Sequence, residues 1–305
     1  MLHFNYLKIF TILSISILIN ACGAKTYSFD IDAPPKYKTD DIFKTMKVEI
    51  FKSNKPAYQN SLTTMIKTGI AKEGYIKIVN YSADSTLKGT IDISPIKTDM
   101  ENNSYECKKK INGKKVKTTC HSYTYKKQEE ISINYSLINN KNQSVVFGES
   151  LTEKFDDSWT SYKSSSDARS KAKSDSSIIN ELLKKLSKKI VKAVTPHKET
   201  ISRELQDGDG DDNIKLGITY VENGRLEQAI SIWGQAISQA KSKQSIASGY
   251  YNIGVIKESQ GNYQDAFDLY SKANNILPQE VLYIKAMTRT EKLNKQNRKV
   301  RQWKQ

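Results

Sequence analysis

The sequence predicts an α+β domain, with a mixed or antiparallel sheet covered by helices, followed by an all-α array of helix-turn-helix units. Three observations predict it. Segments of alternating apolar and polar residues recur between positions 47 and 155, the period of half-buried strands. Two stretches, 56–72 and 175–193, instead repeat apolar residues at three- and four-residue steps, the period of amphipathic helices. Beyond residue 213 small and aromatic residues return at a fixed interval, the mark of a repeat architecture.

The chain opens with one full positive charge, Lys8, ahead of the apolar run Ile9–Ile19, and Asn20-Ala21 then precede Cys22. A basic start, a short apolar run and a small residue are the parts of a secretory signal peptide. The run is short of the ~20 residues of a spanning helix. The phrase Ile19-Asn20-Ala21-Cys22 resembles the lipobox of bacterial lipoproteins. The resemblance implies removal of residues 1–21 and acylation of the Cys22 thiol and new amino group, with palmitate among the chains. Two or more acyl chains give lasting attachment to a membrane. Gly23 stands where Gram-negative lipoproteins retained at the inner membrane carry an aspartate, so for an organism with two membranes the same resemblance implies the periplasmic face of the outer membrane. Residues 22–45, polar and carrying Pro34-Pro35, are expected to form a tether.

The 305 residues suffice for about two domains. Lys and Arg total 48 against 33 Asp and Glu, a net +15, and removal of Lys8 leaves 15 − 1 = +14. Such a balance suits lipid head groups, lipopolysaccharide or wall polymers. Nucleic acid is not expected as a partner of an exported protein.

The α+β domain is expected over 46–200. Lys47–Phe51 alternates as a strand, and Pro56 opens a helix that runs to Lys72 and stops at Gly74. Tyr75–Asn80 and Asp84–Ser94 read as strands, the second with Leu87, Gly89, Ile91 and Ile93 on one side. A hairpin around residue 113, then Glu130–Ile138 and Val145–Phe155, read as an antiparallel meander. Asp156–Lys173 is expected as loop. Asp175–Ala193 is an amphipathic helix, with Ile179, Leu182, Leu183, Leu186 and Ile190 on its apolar face, ended by Pro196. An acidic linker follows over 201–212.

Cys107 and Cys120 are the pair left in an oxidising compartment, and a disulfide is expected between them. With Gly113-Lys114 at the centre of a type II′ turn, residue i faces 227 − i, and 107 + 120 = 227 sets the cysteines opposite each other. An Asn112-Gly113 turn would instead face Cys107 with Thr118. His121 next to Cys120 gives a zinc site only three ligands with poor spacing.

Two phrases, Gly74-Tyr75-Ile76-Lys77-Ile78-Val79 and Ala83-Asp84-Ser85-Thr86-Leu87-Lys88-Gly89, carry a further resemblance. The segment Val48–Gly89 resembles the amino-terminal half of the curli-secretion lipoprotein family. It implies an accessory of an oligomeric outer-membrane secretion system. The lysines at 108–110, 114, 115, 117, 126 and 127 depart from a pore-forming hairpin, because they leave no apolar band for lipid.

The array is expected over 213–305. Leu216, Gly217, Tyr220, Ala229, Trp233 and Ala236 mark the first unit, and Gly254, Ala266, Tyr270, Ala273 and Pro278 the second. The glycine-to-glycine interval is 254 − 217 = 37. These residues resemble the tetratricopeptide repeat, which implies close helix packing at the small residues and a protein or peptide partner. A basic capping helix over Glu280–Gln305, with Val281, Ile284 and Met287 as its apolar start and a solvated end, completes it.

No nucleophile elbow, phosphate loop, dinucleotide fingerprint or HExxH occurs. His121 and His197 are the only histidines after Cys22, so no catalytic residue, metal or cofactor is assigned. Asp207-Gly-Asp209-Gly-Asp211-Asp212 begins like a calcium loop, but Asp212 replaces the sixth-position glycine and Ile218 the twelfth-position glutamate. The expectation from sequence is a lipid-anchored scaffold or assembly factor working through its repeats. An unrecognised cell-wall enzyme is the alternative from another class.

Overall fold

The computed structural model describes residues 25–37, 41–240 and 242–305. The expected signal peptide and the expected acylation site, Cys22, lie outside these residues. In chain order the elements are β1 (Thr26–Ala33), β2 (Thr45–Val48), β3 (Lys52–Ser53), a 3-10 turn at Pro56–Tyr58, α1 (Gln59–Glu73), β4 (Lys77–Ile78), β5 (Ser85–Ile93), β6 (Lys97–Ile111), β7 (Lys114–Asn139) and β8 (Ser144–Ser161). They continue with α2 (Ser165–Lys171), α3 (Asp175–Val194), β9 (His197–Glu204), α4 (Asp212–Glu222), α5 (Leu226–Gln239), α6 (Lys243–Ser259), α7 (Tyr263–Ile276) and α8 (Val281–Lys304). Two compact units result. Among the described residues one takes 25–28, 202–256 and 268–284, and the other 29–201, 257–267 and 285–305.

The second unit holds a seven-stranded mixed sheet in the order β4-β2-β5-β7-β6, with β3 beside β5 and β8 beside β7. β2, β3, β4 and β5 pair in parallel, and β5 to β8 pair antiparallel. Strand alternation sends Leu87, Ile91 and Ile93 of β5 and Ile131, Ile133 and Leu137 of β7 to one face. Helices α1 and α3 cover that face with Leu62, Ile66 and Ile70 and with Ile178, Leu182, Leu186 and Ile190. Helix α3 starts where Ser174 accepts from the Ser177 N–H, and it stops one residue before the extended Thr195 that Pro196 requires. Helix α1 ends at Gly74 in the left-handed region, at φ 77°. The Ala83-Asp84 phrase acts locally, since the Asp84 carboxylate accepts from the N–H groups of Lys44 and Thr45 at the entry to β2.

Several expectations are corrected. The stretch 22–45, expected as an irregular tether, contains β1, in which Phe29, Ile31 and Ala33 alternate into burial. β1 pairs with β9, which occupies 197–204, where the end of the α+β domain and the start of the acidic linker are expected. Asp156–Lys173 is not loop. β8 continues to Ser161 because β7 offers it a ladder as far as Tyr123, and α2 follows with Ser164 as its cap. The strand over Tyr75–Asn80 shrinks to Lys77–Ile78.

The Gly113-Lys114 turn is corrected too. Asn112 and Gly113 both have positive φ, 50° and 81°, the two central residues of a type I′ turn. This turn pairs Cys107 with Thr118 and Tyr105 with Cys120. The Cys107–Cys120 disulfide is present all the same, with Cα atoms 5.8 Å apart. It links diagonal rather than opposite positions, which the strong twist of a two-stranded ribbon brings within reach.

Helix α8 was expected to bury Val281, Ile284 and Met287. Val281 and Ile284 are 55% and 49% exposed. The buried stripe is Tyr283, Ala286, Thr290, Leu293, Val300 and Trp303, stepping by three and four except for one double step. Its basic end is docked, not solvated. In the second unit Trp303 joins the sheet's hydrophobic core, and Lys44 Nζ donates to the carbonyls of Gln302 and Trp303. Asp32 accepts from Lys304 and Lys198, each at 2.7 Å, and from the Tyr75 hydroxyl at 2.9 Å. Burial alone would raise the Asp32 pKa, but these donors outweigh it and lower it from 3.8 to about 2.

Candidate functional site

Helices α4 to α7 are two copies of one arrangement. Gly217 lies under Trp233 of α5 so closely that a Cβ there would stand 2.1 Å from the indole Nε1. Gly254 lies under Tyr270 of α7 in the same way, its Cβ position 2.6 Å from the ring. Both partners step by the same interval, since 254 − 217 and 270 − 233 are each 37. The indole is fixed as well as buried, because its N–H donates to the Ile214 carbonyl at 2.9 Å. Ala229, Ala236, Ala266 and Ala273 are all buried, at positions where a small side chain lets two helices approach. The turns after α4 and α6 also match, with Gly224 and Gly261 at φ 71° and 75°.

Leu216 is corrected: it is 43% exposed, and Ile214, Ile218 and Val221 form the buried face of α4. Tyr220 is half-buried, and Pro278 is exposed beyond the end of α7. Asp211 caps α4 by accepting from the N–H groups of Asn213 and Ile214, and Asp207 accepts from Asp209 N–H. The acidic phrase is thus a turn and a helix start. Among the described residues no group of three or more His, Cys, Asp or Glu side chains could hold a metal ion.

The first unit contains a site that the repeat pattern does not announce. Helix α6 presents Ser245, Ser248 and Asn252, three and four residues apart and hence on one face. The segment Leu205–Gly208, which follows β9 and turns at Gly208 (φ 68°), lies on that face. The Gln206 N–H donates to Asn252 Oδ1 at 2.9 Å, and Asn252 Nδ2 donates to the Gln206 carbonyl at 2.7 Å. The fully buried carboxamide therefore pairs both main-chain groups of one residue, as a neighbouring strand would. Ser245 donates to the Gly208 carbonyl at 3.2 Å. The Gln206 side chain is also read, its Oε1 accepting from Tyr283 Oη at 2.6 Å and Ser248 Oγ at 3.3 Å. Burial, first, raises the Tyr283 pKa to about 12, so the phenol stays a donor at neutral pH. Tyr251 packs in tilted contact with both Tyr270 and Tyr283, at 5.4 and 5.5 Å between ring centroids. This arrangement grips an extended chain chiefly by its backbone. It holds no nucleophile–base pair.

Sequence reasoning reached the packing residues of this array but not Gln206, Ser245, Ser248, Asn252 or Tyr283. The one available signal was Asn252 within Tyr250–Ile256, a polar residue in an otherwise apolar run on a buried helix.

Residues 215–302 match a family described as "Domain of unknown function (DUF6340)". No curated protein matches the chain. Among solved structures, the chain is similar to the PelC dodecamer from Paraburkholderia phytofirmans, at 12% identity and TM-score 0.29, over 55% of this chain and 98% of that one. It is similar to a minor lipoprotein from Acinetobacter baumannii, at 10% identity and TM-score 0.28, over 52% and 100%. A putative neuraminyllactose-binding hemagglutinin homolog from Helicobacter pylori also matches, at 9% identity and TM-score 0.32, over 53% and 89%. Among the described residues no helix is long and apolar enough to cross a membrane.

Proposed function

We propose that this chain is an envelope lipoprotein that serves as a protein-binding scaffold or assembly factor, through a carboxy-terminal array of the tetratricopeptide type. The observation that carries the proposal is the Asn252 carboxamide paired with both main-chain groups of Gln206. Such a pair recognises an extended backbone whatever its sequence, and Ser245, Ser248 and Tyr283 lengthen the grip. A partner segment binds by the same pairing, in exchange with residues 205–208. The exposed Leu216, Val281 and Ile284 offer apolar contacts beyond it. Acylation of Cys22 anchors the chain, on the periplasmic face of the outer membrane. With β1 starting at Thr26, the four residue steps from Cys22 allow at most about 14 Å between the acylated residue and the folded body.

The test is photo-crosslinking in the native envelope, with a photoreactive residue in place of Leu216 or Val281. A partner that crosslinks reproducibly, and that a peptide spanning residues 202–209 displaces, supports the proposal. Crosslinks that this peptide does not reduce, or none to protein, count against it.

A further inference from the structure

The ladder between β7 and β8 ends at Tyr123 and Ser161, so residues 103–122 continue as a two-stranded ribbon of β6 and β7 alone. Nine residues per strand extend about 30 Å at the usual rise. An isolated ribbon of this kind is marginal in water. The Asn112-Gly113 turn and the Cys107–Cys120 bridge close it from both ends of its outer half.

The two faces of the closed end differ sharply. Residues opposed in the ladder share a face, and faces alternate along each strand. One face carries Lys108 opposite Lys117 and Lys110 opposite Lys115. The other carries Ile111 and Val116, 51% and 43% exposed, beside the disulfide, with Lys109 and Lys114 alongside. The segment 104–121 contains six lysines and one acid, Glu106, which pairs with Lys117 at 2.8 Å. Like charges set directly opposite each other destabilise a ribbon. Two such pairs stand at the exposed tip; Glu106 offsets Lys117 in one of them, and a partner of opposite charge would relieve the rest.

We propose that the closed end of this ribbon is a docking element for an anionic bilayer surface. Charge complementarity points to an anionic partner. The apolar face decides which one, because a soluble polyanion would leave Ile111 and Val116 in water. A lipid surface offers phosphates to the lysines and acyl boundary to the two apolar side chains within the same few ångströms. The ribbon rests on the surface and does not span it, since lysines occupy both faces. The inference is independent of the array and of what the array binds.

The test is hydrogen–deuterium exchange of residues 103–122 in the full chain, reconstituted in phosphatidylcholine vesicles with or without phosphatidylglycerol. Exchange at 108–117 is expected to slow several-fold on the anionic vesicles only, and the slowing is expected to vanish in high salt. A lysine near such a surface is worth roughly fivefold in partitioning, so Lys108→Gln/Lys110→Gln/Lys115→Gln/Lys117→Gln is expected to abolish the effect. These positions are exposed, and the change removes like-charge pairs, so the variant keeps the ribbon. Ile111→Ser/Val116→Ser is expected to weaken the protection clearly. Equal exchange on both vesicles overturns the proposal. So does protection by dextran sulfate that matches the anionic vesicles and ignores Ile111→Ser/Val116→Ser, which would mark a polyanion site. Protection that rises with protein concentration without vesicles would mark an interface between copies and also overturn it.

Discussion

Replacing Gly217 by alanine tests the packing of the helical array with a single methyl group. The new Cβ would lie 2.1 Å from Trp233 Nε1 and 2.5 Å from Cε2. The indole cannot retreat cheaply, because it is fully buried and its N–H bonds the Ile214 carbonyl. Overpacking of this kind costs about 1–3 kcal/mol, and a displaced indole that leaves its buried N–H unpaired costs about 1–3 kcal/mol more. Against this, alanine gains roughly 1 kcal/mol of helix propensity over glycine. The net is a loss of about 1–5 kcal/mol. Gly254→Ala should behave likewise, its Cβ meeting the Tyr270 ring at 2.6 Å. Gly234 supplies the control: it sits inside α5 with nothing within 4 Å of its Cβ position, so Gly234→Ala should stabilise by about 1 kcal/mol. Urea denaturation followed by far-UV circular dichroism measures all three. If Gly217→Ala matches Gly234→Ala in midpoint, the close approach of α4 and α5 at this glycine is refuted.

Asn252→Ala leaves the N–H and carbonyl of Gln206 unpaired, at about 2–4 kcal/mol, and should open 205–208 to proteolysis well before the sheet unfolds. Asp32→Asn should destabilise by about 1 kcal/mol at pH 7, a modest figure because Lys198 and Lys304 are half exposed. The folded pKa lies below the unfolded 3.8, so this contribution is full above about pH 5 and fades as pH falls towards 2. The gap between wild type and variant, measured across that range, should close with it. Trp303→Ala should cost about 3–5 kcal/mol in thermal denaturation, as expected of a buried aromatic in the sheet's core and not of a solvated tail. Cys107→Ser/Cys120→Ser should accelerate amide exchange within 103–122 and leave that of α1 and α3 unchanged, because beyond Tyr123 the ribbon has no third strand.

Periodicity made α1, α3, β5 and the repeat helices legible, because each buries one face against a single neighbouring layer and its apolar residues return at the element's own period. The 37-residue interval matched Gly217 and Trp233 with Gly254 and Tyr270 from sequence, since small and aromatic residues at equal offsets have few packings open to them. What failed did so for identifiable reasons. β1 was overlooked because its partner, β9, lies more than 160 residues later, and a lone strand of mixed polarity carries no local sign of a distant pairing. The hairpin register was misplaced because two turns fitted the sequence. An Asn-Gly pair at positive φ decided it, and ribbon twist reconciled that choice with the disulfide.

By itself, then, the sequence determined the fold class, the cysteine pair, the repeat spacing and the six lysines near residue 113, all of which follow from local chemistry or from a period. Only the tertiary structure decided that Asn252 grips Gln206, that Trp303 is core and that Ile111 and Val116 share a face opposite the paired lysines. Those facts depend on which distant segments meet and in what register. Such meetings are set by the summed burial and hydrogen bonding of the whole chain, which no short stretch of sequence encodes.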